Sequence, residues 1–171
     1  MQEKYKQLGY RLAYRNIRFS GRIDGAAHQT VIPATDIPFE LLVDYDRLHF
    51  SAERRSFLEA WIDPPGGAAL VGVNEGRIAG FGVLRPCVQG YKVGPLFAED
   101  PSWADRILRA LAIGSGGKEL YLDVPEVNPA AVRLAEGHGM KPVFETARMY
   151  LKEDPDVPLH EIFGITTFEL G

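Results

Sequence analysis

Two apolar runs, AALVGV from Ala68 and RIAGFGVLRP from Arg77, flank the tight Asn74-Glu75-Gly76 turn, and this pattern predicts an antiparallel hairpin. YKVGPLFA, from Tyr91, extends the meander. Its Gly94-Pro95 pair would interrupt regular ladder pairing and leave backbone groups free where the strand splays. Helical spacing appears on either side. Phe39, Leu42, Val43 and Asp46 share one face of a helix that starts at Pro38 with Asp36 as its cap. Phe57, Leu58, Trp61 and Ile62 form the stripe of a second helix, capped by Ser51 and stopped at PPGG. Trp103, Ile107 and Leu111, four apart, face inward from a helix opened by Asp100 and Pro101 and ended by GSGG. After it come an LYLDV strand, a helix capped by Asn128, a KPVFETARMYL strand, a proline-bounded DPDVP loop and a last strand, FGITTFEL. Upstream, residues 11–19 read as a weakly alternating strand, GRIDGAAHQT as a linker and Thr30 to Pro33 as a short strand. This order predicts an α/β layer with helices packed on a central sheet.

Composition narrows the class. A chain of 171 residues with 46% hydrophobic and 25% charged positions suits one folded domain with a well-buried core. The single cysteine, Cys87, excludes an internal disulfide framework and points to a reducing compartment, the cytoplasm. The first 20 residues carry charges throughout, so no secretory signal is expected, and no apolar run approaches a membrane span. A net charge of −4 argues against nucleic acid as a partner, and the locally basic first 22 residues are expected to form a solvated edge strand. The four histidines lack metal-ligand spacing, so no metal is expected.

The stretch from Glu119 to Leu151 is the most specific. Val124 and Pro125 end a strand, Asn128 caps a helix, Pro129 fits its first turn, and Gly139 can take the left-handed conformation that closes it. The pattern N-x-x-A-x-x-L followed by G-M, here Asn128, Ala131, Leu134, Gly139 and Met140, resembles the last conserved segment of the GNAT superfamily of acyl-CoA-dependent N-acyltransferases. The resemblance implies a GNAT-like mixed, mostly antiparallel sheet flanked by helices, with acetyl-CoA or another acyl-CoA as cosubstrate and a small-molecule or protein amine as acceptor. It also implies that Val93, Gly94, Pro95 and Leu96 present backbone groups to the pantetheine arm, with Asn128 bonding the arm from the other side. Read from the residues alone, Gly94-Pro95 is equally an ordinary bulge and Asn128 only a helix cap.

Two departures from the family pattern stand out. The glycine-rich pyrophosphate loop, R/Q-x-x-G-x-G/A, is replaced by FAEDPSWAD, and the tyrosine that often serves as the acid is replaced by Ala135. Asp123, at a strand end before a helix, and Tyr150 are the candidates for proton transfer, while Arg85 and Lys92 are candidates for holding an anion. Residues 5–19 can be laid over residues 135–149, which resembles a tandem GNAT protein: residues 1–20 would be the remnant of a preceding domain and 21–171 its C-terminal copy. An orphaned first strand would favour a homodimer. Two functions follow: an N-acyltransferase, or a non-catalytic GNAT-fold module that binds a ligand or supports an upstream catalytic copy.

Overall fold

The computed structural model describes residues 2–169. A short helix, α1 (Gln2–Gln7), precedes β1 (Arg11–Gly21), and β2 (Val31–Pro33) follows the linker. Next come α2 (Phe39–His49), α3 (Arg55–Trp61) and the meander β3 (Ala68–Asn74), β4 (Arg77–Pro86) and β5 (Tyr91–Ala98). The second half holds α4 (Pro101–Gly114), β6 (Leu120–Pro125), α5 (Pro129–Gly137), β7 (Lys141–Tyr150) and β8 (Ile162–Gly164). Among the described residues no helix is long and apolar enough to cross a membrane.

The strands form one sheet in the order β2-β3-β4-β5-β6-β1-β7, with β8 paired to β5 off that path. Every pairing is antiparallel except β5 with β6. The predicted hairpin is β3-β4, with Glu75 and Gly76 both at positive φ in its turn. Gly139, at φ 74°, closes α5 as expected.

The expectation of a solvated edge strand at the start of the chain is corrected here. β1 lies inside the sheet, with Arg18 opposite Asp123 of β6 on one side and opposite Phe144 of β7 on the other. Its Phe19 is buried. From Asn16 to Ser20 the strand is paired on both edges, so it is not the orphaned strand on which the homodimer expectation rested. Three other expectations shift. Asp36 falls in a 3-10 turn ahead of α2, whose N-cap is Pro38, and α3 begins at Arg55 rather than after Ser51. Of FGITTFEL only Phe163 and Gly164 are strand, with Ile162 before them; Leu170 lies outside the described residues.

The sheet separates two apolar layers. Trp103, Ile107, Leu108 and Leu111 of α4 pack with Leu84, Val93, Leu122, Ala131 and Phe163 on one face. Leu42 and Val43 of α2 and Leu58 of α3 pack with Val71, Phe81, Phe97, Ile162 and Ile165 on the other. β8 thus feeds both layers, as its unbroken apolar run requires of a segment covered on two sides.

Candidate functional site

β5 and β6 run parallel in register only at Tyr91/Leu120, Lys92/Tyr121 and Val93/Leu122, and then part. The notch that opens is filled by the chain itself. Leu96 pairs with Gly164 and Phe97 with Ile162, while the Ile165 amide donates to the Asp123 carbonyl of β6 at 2.9 Å. Residues 162–166 therefore bridge the diverging strands, and all five are buried.

Side chains from three places hold this segment. Asn128 Oδ1 accepts from the amides of Ala130 and Ala131, which caps α5, and its Nδ2 donates to the carbonyls of His160 and Ile162 at 3.0 Å each. An amide offers two acceptor and two donor positions, so this group is saturated. Arg54 grips buried Asp46 in a fork at 2.7 and 2.8 Å and donates to the Thr166 hydroxyl at 3.0 Å. Buried His49 stacks on Phe97 and places Nε2 2.9 Å from the Glu161 carboxylate. Gly94 matters for closeness: a Cβ there would come 2.5 Å from the Ile165 carbonyl oxygen and 2.8 Å from that of Thr166.

The start of α4 is likewise satisfied from within. Asp100 Oδ1 accepts from the amides of Ser102 and Trp103 at 2.8 and 2.9 Å, and Pro101 has no amide to offer. Glu99 pairs with Arg77. A helix N-terminus attracts an anion through its unbonded amides and dipole, and here a resident carboxylate already takes that place.

A row of polar side chains crosses the sheet on the α2–α3 side. Register places Arg85 opposite Lys92, Lys92 opposite Tyr121, and Asp123 opposite Arg18. Asp123 is fully buried and receives a fork from Arg18, Nε at 2.7 Å and Nη2 at 2.9 Å, together with the Lys92 ammonium. Burial pushes the Lys92 ammonium below its usual value, against the opposing pull of Asp123. Arg85 lies over the Trp61 ring at 4.0 Å, and its guanidinium is likewise pushed down by burial. The Phe168 ring sits beneath both Arg18 and Lys92. Beside Lys92 and Arg18 opens a cavity of about 380 Å³, walled also by Cys87, Val88, Gln89 and Tyr121.

The structure distributes the expected site residues unevenly. Val93 is in register with Leu84 and Leu122; the Gly94 carbonyl accepts from Trp61 Nε1 at 3.2 Å; Pro95 has no amide; Leu96 pairs with β8. Asp123 is ion-paired rather than open to a substrate. Tyr150 stands far away, since it pairs with Arg11 of β1 whereas Asp123 pairs with Arg18, a separation of roughly 23 Å along the strand. Its hydroxyl accepts from Arg148 Nε at 3.0 Å and neighbours Tyr14. His138, the C-cap of α5, bonds Asp105 of α4 at 2.6 Å. Arg18, Trp61 and Phe168 were not foreseen; Arg18 alternates with Phe19 on a strand whose two faces the sequence pattern barely distinguishes.

Comparison with known proteins gives the class. Residues 42–164 match the model of an acetyltransferase (GNAT) domain, and the chain belongs to that family. It is 27% identical over 176 aligned residues to the holothin acyltransferase of a Pseudoalteromonas strain, covering 99% of this chain and 59% of that one. The crystal structure of a candidate acetyltransferase from Pyrococcus horikoshii superimposes with a TM-score of 0.79 at 26% identity, over 99% of this chain and 56% of that one. A GNAT-family structure from Novosphingobium aromaticivorans shares the fold at a TM-score of 0.57 and 17% identity, over 82% of this chain and 65% of that one. The chain thus spans little more than half the length of the first two relatives.

Acyl-CoA is the cosubstrate of this family, and the residues at the notch do not fit its pantetheine arm. The backbone of β5 that would pair with the arm is paired to β8, the Asn128 amide is spent on His160 and Ile162, and α4 caps itself. Ala135 is buried and carries only a methyl group. Among the described residues no cluster of three or more metal-ligating side chains occurs.

Proposed function

We propose that this chain serves acyl-CoA-dependent N-acylation of an amine, as the acceptor-facing half of a protein with two GNAT copies, the acyl-CoA being held by the other copy. Membership of the acetyltransferase family supports the reaction class. The filled notch supports the division of labour, because a segment embedded in both apolar layers lies where the family resemblance would put the acyl donor. The chain's contribution is then to bind and orient the acceptor. Fixed orientation converts a bimolecular encounter into a nearly unimolecular one and can supply several kcal/mol, up to roughly 7–11, of a barrier.

Thiol release from acetyl-CoA over a panel of amines tests the reading. The chain alone is expected to release none, and release is expected when it is co-expressed with the part of the holothin acyltransferase that it does not cover. Turnover by the chain alone would assign both substrates to it and end the proposed division. Absence of turnover with the added half would withdraw the acceptor role.

A further inference from the structure

We propose that the cationic row beside the cavity binds a small anion, the carboxylate or phosphate group of the acceptor amine, through Lys92 and Arg18, with the charge of Arg85 behind them. The charge balance is the first argument. Three cations meet along the row, and Asp123, together with Glu169 at the exposed edge, is the facing countercharge among the described residues. Positive charge is left in excess on partly buried side chains, Lys92 13% and Arg18 29% exposed, where an anion gains more than it does in bulk water. The second argument is unspent bonding capacity. Lys92 has three donors, one of which goes to Asp123. Arg85 stands behind the cavity wall, its Nε buried with no partner and its guanidinium stacked on Trp61 at 4.0 Å, so it adds uncompensated charge to the row. The third is shape: the cavity of about 380 Å³ suits a small substrate group, and Tyr121 on its wall adds a hydroxyl.

Substrate class is thereby named for the site read above as acceptor-facing, and this inference rests on that reading only for calling the anion an acceptor. Its test uses no acyl-CoA, so its failure is distinct from failure of the proposed function. Cys87, the single cysteine, is exposed on the cavity wall and reports occupancy through its rate of alkylation by iodoacetamide. Inorganic phosphate and glutarate are the two probes, each titrated at constant ionic strength set with sodium chloride. A saturable slowing of roughly threefold or more with a midpoint below about 10 mM is expected for at least one, and which one assigns the source. Lys92→Gln and, separately, Arg85→Gln are expected to raise that midpoint about tenfold. Fluorescence of Trp61 in a Trp103→Phe background should titrate with the same midpoint. No change in either signal, or unaltered midpoints in both folded variants, overturns the proposal.

Discussion

Adding acetyl-CoA forces a competition with residues 162–166, and the structure sets its scale. For a pantetheine arm to lie along Leu96 and Phe97, β8 must leave, and Ile162, Phe163 and Ile165 must leave with it. These side chains are 6%, 0% and 3% exposed. Exposing each large apolar side chain costs about 1.5–3 kcal/mol, so the three together cost roughly 5–9 kcal/mol. The Asn128 amide would exchange one set of partners for another, and the Arg54 bond to Thr166 would be lost. A ligand with an intrinsic micromolar affinity has about −8 kcal/mol to spend, which leaves about 3 kcal/mol at best and a dissociation constant of several millimolar or weaker. Isothermal titration calorimetry of the intact chain with acetyl-CoA should show no saturable heat below about 1 mM. A dissociation constant under about 50 µM, with residues 159–168 losing amide protection on binding, would refute the reasoning.

Three further outcomes follow from the same contacts. Asn128→Ala removes the α5 cap and strands the His160 and Ile162 carbonyls, and chemical denaturation should show a loss of about 2–4 kcal/mol; a cap-only effect near 1 kcal/mol would mean that the segment does not depend on Asn128. Gly94→Ala drives a methyl into the Ile165 and Thr166 carbonyls and should cost about 1–3 kcal/mol, with hydrogen exchange rising selectively at residues 162–166; a thermally neutral variant would contradict that packing. Lys92 gives a pH signature. Burial lowers its pKa in the folded chain, so between that lowered value and the usual 10.5 the unfolded chain binds more protons and stability rises with pH. Tyr14 and Tyr45, whose buried hydroxyls are pushed above 10.0, act oppositely once the unfolded chain begins to ionise there. The stability difference between wild type and Lys92→Gln, in which the tyrosines cancel, should therefore shift in favour of wild type from pH 8 towards 10. A flat difference would place the Lys92 ammonium in solvent.

Local chemistry was legible in the sequence. The Asn74-Glu75-Gly76 turn, the Asp100 and Asn128 caps and the left-handed Gly139 each depend on residues within a few positions of one another, so their outcome is decided nearby. What the sequence left open is decided by residues far apart in the chain, from 32 to more than 100 positions. Whether residues 11–21 flank the sheet or enter it depends on pairing with β6 and β7, as Arg18 shows by meeting both Asp123 and Phe144. The destination of the last segment depends on Arg54 reaching Thr166 and Asn128 reaching His160, contacts with no periodic signature. One signal was present: Ile162-Phe163-Gly164-Ile165 is apolar without alternation, the mark of a segment buried on both faces rather than of an edge. The expected roles of Val93, Gly94, Pro95, Leu96 and Asn128 came from family resemblance, and that pattern does not record whether a chain fills its own notch.

A structure determined from crystals grown with saturating acetyl-CoA tests the central claim most directly. The account predicts Ile162–Thr166 still seated between β5 and β6, with Asn128 bonded to His160 and Ile162. A pantetheine arm lying along Leu96 in place of that segment would contradict it.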